Sequence, residues 1–475
     1  MRSTVQGITV HGFAANRKPI SRQPTHCAAI PRKGRHLGLP LPTHPPPTHL
    51  PIHPPTHPLP MSPSTDIAII GAGPQALTLV THLLQKKAAM RNRFVVIDPA
   101  GEWLHQWHHQ FGALEIPHLR SPAVHHPDPN PHALRTFAEG RPDELFPPYA
   151  LPSTALFHDF CDSLIQRWNL ADRVLAGTVQ HLELCQTRGR QRFRLSLADG
   201  RQLLARRVVL AIAGGTPQIP NWARQIPQTY PSHCLRHSHQ IDLRGLSLNG
   251  ERILIVGSGL TSGHLALGAT AHGAQVILMA RRQVYAKLFD AEPGWLGPKY
   301  LKGFQAEPSW LRRWQMIQQA RNGGSVTPAM LLRLRRLERQ SRLTFYEQCQ
   351  VQRSEWKGDA WRVHCSAEAE HDCIAHLPID RIWLATGSQM NIDRWPLLAD
   401  VRATHPIEIV HGMPVLDHHL RWPGCNLFIM GGAAALQLGP VARNLFGGRL
   451  ASDRIVPALV KPSLGQSRPA ASLTA

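Results

Sequence analysis

Residues 66–76 read DIAIIGAGPQA, and this stretch decides the fold. A short apolar run, Asp66–Ile70, leads into a GxGxxA turn, and the residues from Ala76 to Leu84 continue with the apolar spacing of a helix. The next apolar run, Phe94–Ile97, ends at Asp98. A strand, a glycine turn, a helix and a second strand that ends in an acid are typical of a dinucleotide-binding β-α-β unit.

The small residues of this turn each have a physical role. Gly71 lets the chain turn sharply, Gly73 lets a diphosphate approach the backbone, and Ala76 keeps the helix close to the strand. Pro74 opens the helix, where phosphates meet free N–H groups and a partial positive charge. Asp98 can accept hydrogen bonds from ribose hydroxyls. We predict that these five residues contact a dinucleotide; a glycine turn without a ligand is the alternative.

A second glycine turn, GSGLTSG at 257–263, also follows an apolar run. We predict that Gly257, Gly259 and Ser262 face a second dinucleotide. The next strand ends in Arg281 and a further arginine instead of an acid. A carboxylate there would repel a 2′-phosphate, whereas a guanidinium can bind one, so the pattern favours NADPH over NADH. Solvated surface arginines are the alternative.

Two more signatures mark the ends of strands, VVLAIAGGTP at 208–217 and IWLATG at 382–387. A glycine after an apolar strand lets the backbone pass close to a cofactor or cross between domains. Gly214 and Gly387 are therefore further candidate contacts to a cofactor. Each signature alone could be an ordinary strand exit, but the order of the four motifs is specific.

Strands and helices alternate twice along the chain, which predicts an α/β fold with parallel, doubly wound sheets. We expect two Rossmann-like dinucleotide-binding domains, the second inserted in the first. The predicted boundaries are a Pro- and His-rich disordered tail at 1–60, the first domain at 61–220 and again at 376–460, the inserted domain at 221–375, and a flexible tail at 461–475. Met61 directly precedes the first motif, and we hypothesise that it is the true start.

Other elements are predicted from apolar spacing. These are helices at Ser153–Trp168, Ala266–Ala271 and Pro328–Gln340, and strands at Thr178–Leu184, Phe193–Leu197, Arg207–Ile212, Val276–Met279, Thr344–Val351, Trp361–Cys365 and Arg381–Ala385. The stretch from Trp103 to Pro152 has few periodic elements and is too long for an ordinary connection. We expect it to line a pocket.

Composition and charge limit the classes of protein to which the chain can belong. The 475 residues carry a formal charge of +21, of which seven charges lie in the first sixty residues. No nucleic-acid motif or membrane-spanning run is present, and we expect a solvated basic surface. The eight cysteines include no CxxC pair, which favours reduced thiols in the cytoplasm and argues against disulfide redox chemistry. No regular Cys/His spacing indicates a metal site.

In these motifs and their order, the chain resembles the FAD- and NAD(P)-dependent oxidoreductases that have two dinucleotide-binding domains. Within that class it is similar to the flavin monooxygenases that hydroxylate ornithine and lysine side chains, and to oxidative-stress-induced growth-inhibitor-like proteins. The likeness covers about residues 65–455. Besides the four motifs it rests on the Trp-His segment 103–109, HLRSPAVHHPDP at 118–129, His237-Ser238, and GCNLFIMGGAAALQLGP at 424–440.

The resemblance implies FAD on the first domain and NADPH on the second. It places around the flavin ring Trp107, His118–Ser121, Gly432, Gln437, Leu438 and Gly439. It also implies hydride transfer from NADPH to FAD, and then a C4a-(hydro)peroxyflavin that oxygenates a small amine-like or thioether substrate with molecular oxygen. Such chemistry needs a dry pocket, for which Trp103, Trp107, Phe111 and Trp295 are candidate walls. Core packing is the alternative role for these aromatic residues.

No catalytic side chain can be identified from the sequence. The histidines at 105, 108, 109, 118, 125 and 126 titrate near neutrality and could act as an acid or a base. Structural histidines are the more common outcome. Two other functions stay open: a flavoprotein reductase or dehydrogenase with an acceptor other than oxygen, and a flavin-binding regulatory protein without turnover.

Overall fold

The computed structural model describes residues 63–212, 215–321, 324–366 and 374–461. The tail predicted at 1–60 lies outside the described residues, as does the tail predicted at 461–475 apart from Lys461. Within the described ranges, no helix is long and apolar enough to cross a bilayer.

Twenty strands are described. They are β1 (Ser64–Ile70), β2 (Phe94–Asp98), β3 (Leu145–Phe146), β4 (Leu151–Pro152), β5 (Val174–Ala176), β6 (Val179–Thr187), β7 (Arg190–Leu197), β8 (Gln202–Leu210), β9 (Gly215–Pro217), β10 (Leu235–His237), β11 (Arg252–Val256), β12 (Gln275–Met279), β13 (Leu343–Tyr346), β14 (Gln350–Trp356), β15 (Trp361–Ser366), β16 (Arg381–Leu384), β17 (Ser388–Met390), β18 (Ile409–Val410), β19 (Met413–Pro414) and β20 (Leu427–Ile429).

The described part of the chain also contains twelve α-helices. They are α1 (Pro74–Lys86), α2 (His105–Ala113), α3 (Ala133–Phe137), α4 (Thr154–Arg167), α5 (Asn221–Arg224), α6 (Leu260–Ala271), α7 (Pro298–Ala306), α8 (Trp310–Arg321), α9 (Pro328–Arg339), α10 (Ala399–Thr404), α11 (Ala435–Leu438) and α12 (Leu445–Val460).

The first sheet has the order β5-β2-β1-β8-β7-β6, with β20 paired to β8. Strands β5, β2, β1, β8 and β20 run parallel, and β6 and β7 form an antiparallel hairpin with β8. Helices α1 and α12 pack against each other. Because helices and loops cover the parallel strands, these strands are continuous apolar runs, as the buried Ile67, Ile69 and Val209 illustrate.

The second sheet is wholly parallel, with the order β10-β16-β11-β12-β13. Its chain segment lies between β8 and β20 of the first sheet, so the second dinucleotide-binding fold is inserted in the first. The two crossing strands, β9 and β17, pair antiparallel where the chain leaves the first sheet and returns. The predicted α/β fold with an inserted Rossmann-like domain is confirmed, while the predicted residue boundaries stay a prediction.

Two differences from the predicted elements have physical reasons. The single strand predicted at Thr344–Val351 is interrupted, because Gln348 has a left-handed backbone with φ +56° and the chain turns from β13 into β14 there. The stretch Trp103–Pro152 contains two helices, α2 and α3. Helix α2 was not apparent in the sequence because its exposed face carries histidines and glutamines instead of a regular polar and apolar pattern.

Candidate active site

A cleft of about 2600 Å³ is lined from both sheets. The first sheet contributes residues that follow β1, β8 and β20: Pro74, Gln75, Ile212, Gly431 and Gly432. The second sheet contributes residues that follow β11, β12 and β16: Gly257, Gly259, Arg281, Arg282 and Gly387. Ligands of parallel α/β sheets bind beyond the carboxyl ends of the strands, where the strand order reverses. The cleft therefore joins two such crevices.

The first crevice is formed by the turn between β1 and α1. Gly71 has φ +97°, and a Cβ at this position would lie 2.9 Å from the carbonyl oxygen of Ala211, so the protein itself requires glycine there. Gly73 is the N-cap of α1, and a Cβ there would meet no protein atom within 4 Å. Helix α1 has neither a side-chain cap nor an acid in its first turn. Its free N–H groups are available to an anion.

The second crevice repeats this geometry. Gly257 has φ +146°, and a Cβ on it would lie 2.3 Å from the carbonyl oxygen of Ala385. Gly259 is the N-cap of α6, and a Cβ there would meet no protein atom within 4 Å. Helix α6 also begins without a side-chain cap or an acid. Both turns thus combine a glycine that the fold requires with a glycine that borders open space.

Three predicted contact residues support the turns instead of lining the cleft. The Asp98 carboxylate accepts the backbone N–H of Ala72 at 3.0 Å, which ties the end of β2 to the first turn. Ala76 is fully buried against the sheet. Ser262 is also fully buried, and its hydroxyl donates to the carbonyl of Gly259 at 2.6 Å. Direct contact of these side chains with a dinucleotide stays a prediction.

The two arginines after β12 both line the cleft. Arg281 is exposed, whereas the guanidinium of Arg282 donates to the carbonyl of Gly324 at 3.1 Å and lies over the ring of Tyr285. Both cations follow the strand that comes after the second glycine turn. In NADP-binding folds, this is the position at which an arginine binds the 2′-phosphate.

Aromatic and imidazole side chains of the first domain form one wall. Trp107 stacks on Phe111 with ring centroids 4.3 Å apart, and both line the cleft. The indole Nε1 of Trp107 is buried without a hydrogen-bond partner in the described structure. His118 also lines the cleft and contacts Phe146. By contrast, Trp103 is buried in the core, where its Nε1 donates to the carbonyl of Leu170.

The C-terminal glycine-rich segment reaches the cleft in part. Gly432 lines it, but Gln437, Leu438 and Gly439 do not. The amide of Gln437 is buried and donates to the carbonyl of Leu416, and Leu438 is 1% exposed. Gly439 has φ +81° and ends α11. The predicted contacts of these three residues with a flavin ring stay a prediction.

The other predicted positions also include some residues that line the cleft and some that do not. Gly387 lines the cleft with φ +78°, and its carbonyl contacts Nε2 of His237 at 3.2 Å. Gly214 lies outside the described residues. Trp295 is buried, with a flanking proline and leucine on the cleft side.

Burial lowers the pKa of three histidines at the cleft or beside it. Burial lowers the pKa of His264 to about 4, helped by the charges of His118 and Arg333. Burial together with Arg449 also lowers the pKa of His125 to about 4. For His237, burial and the nearby His239 lower the pKa. No set of three or more His, Cys, Asp or Glu side chains that could hold a metal ion is found in the described residues.

A charged cluster that the sequence did not reveal lies on the cleft. Arg321 donates to the Asp290 carboxylate and, at 2.7 Å, to the carbonyl of Pro440, while Arg443 lies 3.8 Å from Asp290. Burial opposes ionisation of Asp290, but the charges of Arg321, Arg443 and Arg120 hold its pKa below the ordinary value. Burial lowers the pKa of Arg321 to about 10, so it stays charged near neutrality. No local motif marks these residues.

The geometry fits two dinucleotide cofactors. Two uncapped helix starts border one cleft, which Pro74 and Gly259 line, and both Gly73 and Gly259 have open space at the position of a Cβ. Two dinucleotide folds that share a cleft define the class of FAD- and NAD(P)-dependent flavoproteins. The FAD-NAD(P)-binding family profile matches residues 68–215.

The profile of the L-lysine 6-monooxygenase/L-ornithine 5-monooxygenase family matches residues 152–390, half of the chain. The chain belongs to this family of flavin monooxygenases. The likeness that the motifs indicated is thereby confirmed, together with the use of FAD and a nicotinamide cofactor. No curated protein sequence matches the chain.

Solved structures share the fold. The Kutzneria sp. 744 ornithine N-hydroxylase is 18% identical, with a TM-score of 0.66 over 84% of this chain and 100% of that one. The cadaverine monooxygenase of Erwinia amylovora is 14% identical, with a TM-score of 0.65 over 83% and 94%. The bacillithiol disulfide reductase of Bacillus cereus is 15% identical, with a TM-score of 0.54 over 84% and 99%. At these identities the likeness describes the fold alone.

Proposed function

We propose that the chain hydroxylates the nitrogen of a small primary amine that carries an anionic group at its other end. In the balanced reaction, the amine, O₂, NADPH and a proton give the N-hydroxylamine, NADP⁺ and water. The observation that carries this proposal is the single cleft, into which two open dinucleotide crevices and the Asp290 cluster all face. Family membership supplies the reaction class.

The bound flavin would accept a hydride from the reduced nicotinamide and activate oxygen. The protein's own task is to hold, orient and keep dry the reacting groups. The start of α1, with Gly73, would bind the diphosphate of FAD, and the start of α6, with Gly259, would bind that of NADPH. Arg281 would pair with the 2′-phosphate because its exposed guanidinium stands at the cleft.

Water exclusion would depend on the apolar wall of α2. Trp107 and Phe111 present stacked rings, and Trp107 also packs on the buried ring of Phe157 at 5.8 Å. An apolar wall limits the water that would otherwise divert activated oxygen to hydrogen peroxide.

The charged cluster favours a substrate that carries an anionic group. Three cations, Arg321, Arg443 and Arg120, act on the one carboxylate of Asp290, so the cluster is net positive, and the side chain of Arg443 is 58% exposed. A guanidinium binds a carboxylate through two parallel hydrogen bonds. The carboxylate of a diamino acid such as ornithine or lysine would pair with this cation, whereas the second ammonium group of a simple diamine would be repelled by it.

Turnover of the purified FAD-loaded protein with NADPH, O₂ and one of three amines (ornithine, lysine or cadaverine) tests the proposal. We expect hydroxylamine product, with the diamino acids favoured over cadaverine. Arg443→Met should raise KM for the diamino acid about tenfold, the effect of losing one charge-assisted contact, and should lower KM for cadaverine, because the repulsion of its second ammonium is removed. Rapid turnover with a quinone dye but no hydroxylamine would identify a reductase instead.

A further inference from the structure

The chain between β12 and α9 crosses from the second sheet to the first. We call residues 288–321 the bridging segment; it contains α7 and α8. Its side chains Ala291, Trp295, Phe304 and Ile317 belong to the hydrophobic core of the first sheet, although its two ends arise beside the second. The segment therefore connects the two dinucleotide folds by packing as well as by the chain.

Two backbone hydrogen bonds join the chain just before the bridging segment to the chain just after it, and we call this pair of bonds the base of the segment. The N–H of Lys287 donates to the carbonyl of Val326 at 2.8 Å, and the N–H of Val326 donates to the carbonyl of Tyr285 at 3.1 Å. Val326 is fully buried. Phe289, Asp290 and Ala291 follow this base directly and line the cleft. The position of the base thus determines where this wall of the cleft lies.

One side chain from the first domain holds both ends of that base. Arg120 donates through Nε to the carbonyl of Leu288 at 2.9 Å and through Nη2 to the carbonyl of Lys287 at 2.5 Å. On the other end it donates to the hydroxyl of Ser325 at 3.0 Å and the carbonyl of Ser325 at 3.4 Å. The backbone of the preceding residue is anchored, because the N–H of Leu119 donates to the carbonyl of Pro152 at 2.9 Å.

We propose that Arg120 is a positioning residue that fixes the base of the bridging segment and so sets the wall that carries Asp290. The planar guanidinium suits this task because its donors point to several acceptors at fixed angles, whereas an ammonium concentrates its donors on one atom. Arg120 acts through the backbone carbonyls of Lys287, Leu288 and Ser325 and the hydroxyl of Ser325, which stabilises the wall of the cleft that it also lines. A displaced wall would admit water, and reduced nicotinamide would then be consumed without hydroxylation of the amine.

Amide hydrogen exchange of the FAD-loaded protein tests this proposal without relying on turnover. In Arg120→Met, the amides of Lys287 and Val326 should exchange about tenfold faster, as expected for the loss of charge-assisted hydrogen bonds. Amides of β1 should keep their rates. Arg91→Met is the matched control, because Arg91 also donates to a backbone carbonyl, that of Asn169, but far along the chain from this base.

Two milder variants keep the test decisive if Arg120→Met fails to fold. Arg120→Lys and Ser325→Ala should each accelerate exchange of the same two amides by a smaller factor. Unchanged exchange at Lys287 and Val326 in the folded variants would overturn the proposal. A second readout, hydroxylamine formed per NADPH consumed, should fall in Arg120→Met. This coupling readout rests on the proposed function; if the wild-type protein hydroxylates no amine, that function fails while the exchange result still decides the role of Arg120.

Discussion

At the scale of single residues, each dinucleotide turn pairs two glycines with different constraints. Gly71 and Gly257 have positive φ and abut backbone carbonyl oxygens, so any side chain there strains the protein itself. Gly73 and Gly259 have ordinary φ and border open space, so a methyl group there would meet only a ligand. The sequence pattern predicted all four positions, since the spacing of the glycines reflects these local constraints.

An alanine substitution at Gly73 or at Gly259 should weaken the binding of one cofactor and leave the binding of the other unchanged. Gly73→Ala should lower FAD affinity about tenfold or more while the unfolding temperature of the apoprotein stays near wild type, because the methyl occupies diphosphate space. Gly259→Ala should leave FAD bound and raise the Kd for NADPH similarly. Fluorescence titration measures both. Gly71→Ala is the contrasting variant, expected to cost roughly 1–3 kcal/mol of stability. Equal losses of both cofactors in either single variant would contradict this assignment.

Arg281 tests the choice of nicotinamide cofactor. Arg281→Met should raise KM for NADPH about tenfold and leave KM for NADH nearly unchanged, because only NADPH carries the 2′-phosphate. Steady-state NADPH and NADH oxidation supplies the comparison. A matched rise for both cofactors would assign Arg281 to a structural role.

Some residues of the candidate site cannot be predicted from local sequence patterns, as Asp290, Arg321 and Arg443 illustrate. They come from both ends of the bridging segment and from the loop before α12, and no motif links them. Only the packing of the bridging segment on the first domain brings them together. Long-range contacts of this kind leave no periodic signal in a single sequence.

At the scale of elements, buried strands were predictable and amphiphilic connections were not. Parallel strands such as β1 and β11 are short apolar runs, which the sequence displays directly. Helices α7 and α8 were missed because arginines, lysines and glutamines alternate with their aromatic side chains. In α8, Arg313 itself is 8% exposed and donates to the carbonyls of Leu436, Glu307 and Gln305.

Arg313 should therefore be essential for the packing of α8. Arg313→Met should lower the free energy of unfolding by roughly 2–4 kcal/mol, because three carbonyl oxygens lose a charged donor in a buried site. Urea unfolding followed by tryptophan fluorescence measures the difference. Arg312→Met is the control, since Arg312 is exposed and its side chain bonds only Gln315 in the described structure. Similar stability of the two variants would refute the role of Arg313.

At the scale of the whole molecule, buried histidines should make stability depend on pH. Burial lowers the pKa of four described histidines to about 4 each: His125, His126, His158 and His264. Unfolded histidine titrates near 6.5, so the unfolded chain takes up protons first as the pH falls. The free energy of unfolding should be greatest above pH 6.5 and should fall between pH 6.5 and 4.

Urea unfolding at pH 7.5, 6 and 5 checks this dependence. Each histidine contributes on the order of 2 kcal/mol over the window. His126→Gln should reduce the loss between pH 7.5 and 5 by about one quarter relative to wild type, since it removes one of four described imidazoles whose pKa is lowered to about 4. Stability that is constant from pH 7.5 to 5 would show that these imidazoles protonate freely in the folded protein.

The arrangement of the two dinucleotide folds was predictable because the glycine motifs occur in order along the chain. Their shared cleft was expected only from the resemblance, which implies hydride transfer between the two cofactors, because its shape depends on how β9 and β17 pair at the crossing and on how the bridging segment packs. The cleft is nevertheless the feature on which the function depends. Hydride transfer requires the flavin and nicotinamide rings to meet there.

Anaerobic mixing of the FAD-loaded protein with NADPH, followed by flavin absorbance in a stopped-flow instrument, tests this feature most directly. Two crevices that open into one cleft predict rapid bleaching of the oxidised flavin band, with NADPH faster than NADH. Bound FAD that stays oxidised in the presence of saturating NADPH and NADH would contradict a shared site.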